Sequence, residues 1–353
     1  MTDKAMMKPT KTTSIIILIW LTLLLPACTT QPMPTSTPTP AASATPTLMG
    51  DGPITPHPGN PVLPLGAADS WDSSAVFSPR VILKDGIYHM FYNGSADDTL
   101  PTMAIGYATS SNGWTFTRQA AEPILTGDER GFDARQVNRG VPLLDGDQWV
   151  LYYNAGGGQG GAGKAIGRAT AHDPIGPWKR NEQPVLLVGD PEAWDADYVV
   201  PESVLLTDEG YVLYYTGGSR YGSIAMIGMA TSSDGITWKK RGEPVLRPGP
   251  EGSWDGIGVW GCAVLPTEDG WEMFYTGGSE TSVSIGYATS PDGINWNKHE
   301  GNPILSPGDD PATSMQILQS PSVIKTGATY VIYYDYGVTG GGIGLAIGDT
   351  LPH

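Results

Sequence analysis

The sequence predicts an all-β fold, a five-bladed β-propeller with four antiparallel strands per blade. Three observations predict it: a strand motif that occurs five times, a second motif that follows each copy, and a closing strand that is missing from the last copy but present ahead of the first. Repeats of sheet units at a fixed period are typical of propellers.

The first motif is an aromatic strand, and its copies lie about 60 residues apart. The copies YHMFYNG, WVLYYNAGG, YVLYYTGG, WEMFYTGG and YVIYYDYG begin at residues 88, 149, 211, 271 and 330. An IG-x-A motif follows each copy, at residues 105, 166, 227, 285 and 343. Each unit thus contains four short runs rich in β-branched and aromatic residues, separated by turns with Gly, Asp and Pro.

The incomplete fifth unit indicates how the ring closes. It stops at IGLAIGDTLPH, and the missing strand matches ITPHPGNPVL, Ile54 to Leu63, near the start of the chain. We expect this N-terminal strand to complete the last blade and cover its exposed edge. An open β-solenoid is the alternative, but it leaves the missing strand unexplained.

The first 50 residues predict export rather than core structure. Residues 1–27 contain three lysines before the apolar run IIILIWLTLLL and predict a signal peptide. The run ends in LPAC, which resembles a lipoprotein signal and implies lipidation of Cys28; ordinary cleavage nearby or an uncleaved anchor are the alternatives. Residues 28–50 predict a Pro/Thr-rich linker and residues 51–353 the propeller. We therefore expect an extracytoplasmic protein, secreted or held at the cell surface by lipid.

Composition limits the partners. The formal net charge of −16 argues against a nucleic-acid partner, and contact with a membrane is expected only through the lipid. With Cys28 lipidated, Cys262 has no partner for a disulfide. The sequence contains no metal-binding motif, so we expect no cofactor; a structural Ca²⁺ is conceivable but nothing indicates it. A monomer is expected.

The predicted innermost strands suggest a ligand-facing wall. One register is aliphatic in every unit and should pack between blades: Val76, Val137, Val199, Val259 and Leu318. The neighbouring register is mixed, and Glu202 is its only carboxylate. A buried Glu beside Trp260 would have a raised pKa and could donate a proton to a glycosidic oxygen. The alternative is that Glu202 simply pairs with Arg139 across the axis.

Polar and aromatic residues near Glu202 are candidate sugar contacts, since amides, arginines and aromatic rings grip hydroxyls and ring faces. These candidates are Phe77, Arg135, Asn138, Arg139, Tyr198, Trp260, Gln316 and Gln319.

A recurrent acidic position precedes the aromatic strand in four units. Asp72, Asp133, Asp195 and Asp255 each follow an aromatic residue, whereas the fifth unit has Thr313 and Ser314. Recurrence favours a structural role, although a role in the funnel stays open because these loops lead into the innermost strands. Asp234 and Asp292 lie in turns that look like shortened Asp-boxes and should be structural.

Inner strands of the form x-P-x-V-I, followed by G-x-Y-x-(M/F)-Y and IGYATS-x-DG-x-x-W, resemble the glycoside hydrolase superfamily of families 43, 32, 62, 68 and 130. The resemblance covers residues 51–353. Family 43 enzymes are typically inverting hydrolases of arabinosides and xylosides that use an Asp base, a helper Asp and a Glu acid.

That pattern is only partly met here. Ser78-Pro79 replaces the Asp-Pro of the family, Arg139 stands at the second Asp position, and Glu202 lies one residue late, a shift that a β-bulge could absorb. The resemblance thus implies Glu202 as acid. The base would have to come from the loops, where Asp72, Asp133, Asp195 and Asp197 are available.

Three functions follow. The first is a glycoside hydrolase for plant or microbial polysaccharide, with arabinosides or xylosides expected. The second is a catalytically inactive carbohydrate-binding surface lipoprotein, suggested by Ser78 and Arg139. The third is a phosphorylase of the family 130 type, which would need a cluster of cationic side chains for phosphate.

Overall fold

The five sequence repeats form five sheets in the computed structural model. It describes residues 50–97, 103–128, 130–134, 136–156, 164–219, 224–312, 316–337 and 341–351. These residues belong to one compact unit, and the predicted leader, Cys28 and nearly all of the linker lie outside them. No helix in the described ranges is long and apolar enough to cross a membrane.

Each blade is an antiparallel sheet whose first strand lies innermost. The chain enters through β1 (Thr55–Pro56) and β2 (Leu63–Pro64). The first blade contains β3 (Ala75–Lys84), β4 (Ile87–Ser95), β5 (Ala104–Ser110) and β6 (Thr117–Arg118). The second contains β7 (Gln136–Asp145), β8 (Gln148–Gly156), β9 (Ala165–Ala171), β10 (Lys179–Arg180) and β11 (Leu186–Leu187).

The other blades repeat this order. The third contains β12 (Tyr198–Thr207), β13 (Gly210–Gly218), β14 (Met226–Ser232) and β15 (Lys239–Lys240). The fourth contains β16 (Gly258–Thr267), β17 (Gly270–Gly278), β18 (Val283–Ser290) and β19 (Asn297–Lys298). A short 3-10 helix, Pro307–Asp309, precedes the fifth blade, which contains β20 (Gln319–Thr326), β21 (Thr329–Asp335) and β22 (Gly342–Gly348).

The N-terminal segment closes the ring, as the sequence predicts. β1 and β2 both pair antiparallel with β22, and β20 of the last blade packs against β3 of the first. Asn60 secures the joint because its Nδ2 donates to Asp310 (2.8 Å) and to the Leu345 carbonyl (3.0 Å), while its Oδ1 accepts the Leu345 N–H (2.9 Å). The fifth sheet thus has no exposed edge there.

The hydrophobic core lies between the blades. The five large clusters of buried side chains in the described residues each join two neighbouring blades. The aliphatic register predicted to pack there is completely buried: Val76, Val137, Val199, Val259 and Leu318. Three of the second-strand tyrosines also donate a hydrogen bond to a turn carbonyl of the next blade: Tyr152 to Gly235, Tyr214 to Gly293 and Tyr333 to Gly113.

Candidate functional site

Each innermost strand is irregular at the hub of the ring. At equivalent positions in four blades a residue adopts a left-handed backbone: Ser78 (φ 49°), Arg139 (φ 48°), Gly261 (φ 51°) and Ser320 (φ 56°). Such conformations are unfavourable for residues other than glycine, and where they occur the surrounding structure must hold them.

A polar residue on the next strand outward holds these bulges in place across the blade junctions. At four junctions the side chain of this residue accepts a hydrogen bond from the backbone N–H of the bulge in the neighbouring blade. The N–H of Arg139 donates to Asn93 (2.8 Å), that of Gly261 to Thr216 (3.2 Å), that of Ser320 to Thr276 (2.9 Å) and that of Ser78 to Asp335 (2.8 Å). At the second junction Asn154 instead donates its Nδ2 to the Val199 carbonyl.

The third blade differs because proline stands at the bulge position. Proline cannot adopt a positive φ, so Pro201 cannot form the left-handed bulge of the other blades. The register with β13 shifts between Pro201 and Ser203, which leaves Glu202 as the extra residue. The β-bulge expected from the one-residue offset of Glu202 is therefore present, and it places this side chain at the hub.

Both carboxylate oxygens of Glu202 are engaged, and the residue is only 1% exposed. Oε2 lies 2.6 Å from Nη2 of Arg80, and Oε1 accepts the Thr216 hydroxyl at 2.7 Å. Arg139, the partner suggested by the sequence, is more distant, with Nη1 3.7 Å from Oε1. Glu202 is thus an ion-paired group between two guanidiniums rather than a lone carboxyl beside an indole.

Arg80 is a residue that sequence reasoning missed. It is buried in the first innermost strand and donates to the carbonyls of Glu202 (3.0 Å), Pro79 (2.8 Å) and Ser320 (3.3 Å) besides its ion pair. Burial lowers the pKa of its guanidinium, and the charge of Glu202 opposes that shift. The available signal was a single arginine directly before the aliphatic run Val81–Leu83 of its strand.

Asp335 is a second buried hub carboxylate that the sequence analysis passed over. It is 0% exposed and accepts the N–H groups of Ser78 and Gly337 and the amide of Gln319. The signal was its position, since its counterparts Asn93, Asn154, Thr216 and Thr276 in the same motif are all uncharged.

The mouth of the hub is the end at which the innermost strands begin, and one side of it is aromatic and half-exposed. Tyr198, Trp260 and Gln319 are each partly accessible and stand at the amino ends of three consecutive innermost strands. The Trp260 indole lies over Gly278 and the Tyr198 ring over Gly218, positions where any Cβ would clash with the ring. Burial raises the pKa of Tyr198.

The opposite side of the mouth is filled. Phe77 is buried in a cluster with Ala75 and Met103, and Asn138 is buried with its Nδ2 3.6 Å from the sulfur of Met103. Neither presents much surface to a ligand here, although both share the predicted wall register. The Arg139 side chain is 21% exposed and lies between the two sides.

Gln316 and Arg135 are the remaining sugar-contact candidates. Gln316 is exposed, ahead of β20, where its carbonyl accepts the Val283 N–H. Arg135 lies outside the described residues.

The recurrent aspartates form a structural motif away from Glu202. Each is buried, accepts a tyrosine hydroxyl of its own blade and pairs with a cation on the outermost strand: Asp72 with Tyr92 and Arg118, Asp133 with Tyr153 and Arg180, Asp195 with Tyr215 and Lys240, Asp255 with Tyr275 and Lys298. Trp71 and Trp194 stack on the tyrosines of their motifs. With these contacts made, Asp72, Asp133 and Asp195 are oriented toward the outer strands and not toward the hub.

The fifth blade also has this aspartate, contrary to the expectation from the sequence. Asp310 accepts the hydroxyls of Tyr334 (2.6 Å) and Tyr336 (2.9 Å) and the amide of Asn60. The equivalence was missed because the interval to the tyrosine is longer here; Thr313 and Ser314, compared instead, lie outside the described residues.

Asp197 is the remaining loop candidate. It is half-buried directly before β12, and its backbone N–H donates to the Gly218 carbonyl at 3.0 Å. It therefore stands near Tyr198 at the mouth.

One cavity lies at the hub, and a larger one lies away from it. One of about 170 Å³ continues along the axis beyond Arg80 and Glu202, between aliphatic side chains such as Val141, Val204 and Val323. A larger cavity of about 690 Å³ lies between the turns of the fourth and fifth blades, at the far ends of the strands, and contains none of the predicted site residues. No group of three His, Cys, Asp or Glu side chains within the described ranges is arranged to hold a metal ion.

Known proteins resemble this chain in sequence and in fold. No family model matches the sequence. A 1,2-β-oligomannan phosphorylase of Thermoanaerobacter sp. (strain X514) is 27% identical over 236 residues, 63% of this chain and 71% of that protein.

Solved structures share the architecture. The β-1,2-mannobiose phosphorylase of Listeria innocua, in complex with β-1,2-mannobiose, aligns with a TM-score of 0.65 at 17% identity, over 83% of this chain and 96% of that one. A thermostable family-43 glycoside hydrolase aligns with a TM-score of 0.59 at 20% identity, over 77% and 88%. The chain has the five-bladed fold of glycoside hydrolases and phosphorylases. The resemblance inferred from the inner-strand motifs is thereby confirmed at the level of fold.

Proposed function

We propose that the protein binds a mannose-containing oligosaccharide at the mouth of the hub. The observation that carries the proposal is the half-exposed side formed by Tyr198, Trp260 and Gln319, because rings supported from behind and nearby amides suit sugar faces and hydroxyls. Arg139 adds a partly exposed cationic donor beside it.

The choice of sugar rests on the sequence relative. The expectation of an arabinoside or xyloside came from the resemblance to family 43. The sequence relative found is a phosphorylase of 1,2-β-oligomannan, and one structural neighbour binds β-1,2-mannobiose, which favours a β-mannoside.

Cleavage of that mannoside is the second candidate function, and Arg139 favours phosphorolysis. Among the described residues its guanidinium makes only long side-chain contacts, 3.4 Å to the Ser320 hydroxyl and 3.7 Å to Glu202, so donors stay available there for an anion. An oxygen of a hydrogen phosphate would attack the anomeric carbon, the glycosidic C–O bond would break, and the leaving oxygen would take the proton that the hydrogen phosphate carries. With water as the nucleophile the same cleavage is hydrolysis.

One experiment separates these functions. We would titrate the purified protein with β-1,2-mannobiose and β-1,2-mannotriose by calorimetry, with xylobiose and an arabinobiose as comparison sugars. Product formation would be followed with and without inorganic phosphate, in wild type and Glu202→Gln.

Binding of mannosides without turnover supports the binding function alone. Turnover that requires phosphate supports phosphorolysis, and a fall of at least about a hundredfold in Glu202→Gln, with the fold and mannoside affinity retained, supports a role of the Glu202 carboxylate in the cleavage step. Absence of mannoside binding, or preference for the pentose sugars, would contradict the proposal.

Export and lipidation at Cys28 also stay proposals, supported by the apolar run and the LPAC motif. Mass spectrometry of the protein from its native membrane fraction tests them. Lipid on Cys28 as the new N-terminus is expected; a chain that still carries residues 1–27 would contradict lipidation and leave the uncleaved anchor as the form of export.

A further inference from the structure

Trp260 is connected to a buried carboxylate through one intervening amide. Its indole Nε1–H donates to Oε1 of Gln319 at 3.3 Å, and Nε2 of Gln319 donates to Oδ1 of Asp335 at 3.1 Å. The connection leads from the fourth blade, at the mouth, into the fifth, at the hub.

Asp335 has one more oxygen than it needs to accept the backbone N–H of the neighbouring blade. Thr216 and Thr276 show that a single acceptor at this position is enough to bind the N–H of the next blade. Asp335 does this with Oδ2, which accepts the Ser78 N–H at 2.8 Å. Its Oδ1 remains for Gln319 and the Gly337 N–H, although a fully buried carboxylate is costly to desolvate.

The charge of Asp335 fixes the direction of these bonds. A carboxylate only accepts hydrogen bonds, so the amide NH₂ of Gln319 must face it. The amide oxygen then faces the mouth, where it meets the indole N–H of Trp260, which can only donate. An uncharged residue at 335 would allow the amide to turn over and lose the indole.

The position of the Trp260 ring is therefore set from two sides. Gly278 lies against it so closely that a Cβ there would be 2.7 Å from the ring, and Gln319 holds its N–H edge. Tyr198 also lies against a glycine, Gly218.

We infer that Asp335 and Gln319 are positioning residues that hold the Trp260 indole as the stacking platform for the saccharide. This inference rests on the proposed function. A fixed ring loses no rotamer freedom when a sugar binds, so preorganisation contributes directly to affinity.

The two hydrogen bonds that connect Asp335, Gln319 and Trp260, called the relay below, can be tested without ligand. We would record the indole N–H resonances of ¹⁵N-labelled protein and assign the Trp260 signal by its loss in Trp260→Phe. In Asp335→Thr, which copies the residue of the third and fourth blades, and in Gln319→Leu, the signal should move and its hydrogen exchange should become at least tenfold faster.

The matched control is Asn93→Thr. It places the same residue at the equivalent position of the first blade and keeps an acceptor for the Arg139 N–H. The Trp260 signal should not change in this variant, and the melting temperature reports whether both threonine variants are folded. An unchanged Trp260 signal in Asp335→Thr overturns the inference.

Saccharide titration tests the consequence. Asp335→Thr should weaken mannoside binding about tenfold, and it should have less than a twofold effect when Trp260→Ala is already present, since the relay acts through that ring. A shifted signal with unchanged affinity, or equal effects in both backgrounds, overturns the positioning role. Failure of the wild type to bind any saccharide overturns the proposed function and this consequence, while the indole signal still decides whether the relay exists.

Discussion

Arg80 and Glu202 join the first and third blades across the hub through an ion pair of 2.6 Å that is almost fully buried. In a buried pair the desolvation cost of both charges is offset only while each partner is present. This relationship connects the stability of the ring to the candidate site.

Removal of one partner should therefore be costly. We expect Arg80→Ala to lower the free energy of unfolding by about 3–5 kcal/mol, because Glu202 would stay buried and unpaired. Denaturant unfolding measures this. Arg247→Ala, which breaks a mostly exposed pair with Glu243, is the control and should cost less than about 1 kcal/mol. The double variant Arg80→Leu with Glu202→Leu should recover part of the loss, because it removes the unpaired charge but leaves the carbonyls of Pro79 and Ser320 without their Arg80 donor. Equal stability of Arg80→Ala and wild type would contradict this account.

The recurrent aspartates should matter for stability and not for sugar binding. Lys240→Ala removes the cation 2.6 Å from buried Asp195 and should cost about 1–3 kcal/mol, while mannoside affinity changes less than twofold. Lys239→Ala, at the exposed neighbouring position, should change neither quantity. A large loss of affinity in Lys240→Ala would return Asp195 to the candidate site.

The Asp-box turns should contribute a pH-dependent part of the stability. The backbone N–H groups of Thr237 and Ile236, with the Ser232 hydroxyl, lower the pKa of Asp234 below its ordinary value. A carboxyl whose pKa is lower in the folded state stabilises the fold above its ordinary pKa of about 4, and this contribution is lost as the pH falls toward the folded value.

At pH 6 wild type should thus melt at a higher temperature than Asp234→Asn, and this difference should shrink below about pH 4. Asparagine is tolerated in such a turn, because Asn112 accepts the equivalent N–H groups of Trp114 and Thr115 in the first blade. The reciprocal Asn112→Asp should gain stability with the same pH dependence. A difference that grows on acidification would have the wrong sign.

Closure of the ring should depend on Asn60. Asn60→Ala leaves the Leu345 N–H and carbonyl and one oxygen of Asp310 with fewer partners, and should cost about 2 kcal/mol. Asn297→Ala, at an exposed position on the outer strand of the fourth blade, is the control. Thermal unfolding compares them, and equal melting temperatures would show that the joint does not depend on this side chain.

The five repeats made the fold predictable from the sequence, and Asp310 shows where comparison of the repeats fails. The blade register fixed which side chains pack between sheets, such as Val76 and Val259, because each repeat makes the same contacts with its neighbours. The same comparison failed for the fifth aspartate, where a longer loop moved Asp310 out of the expected interval.

The sequence by itself determined the number of blades, the closing strand and the residue at which the third blade departs from the others, because strand periodicity and turn residues are local signals. Only the tertiary structure decided that Glu202 pairs with Arg80, that Asp335 orients Gln319, and that Phe77 is buried while Trp260 is not. Those contacts join residues of different blades, and no spacing along the chain specifies which side chains from distant repeats meet at the axis of a ring.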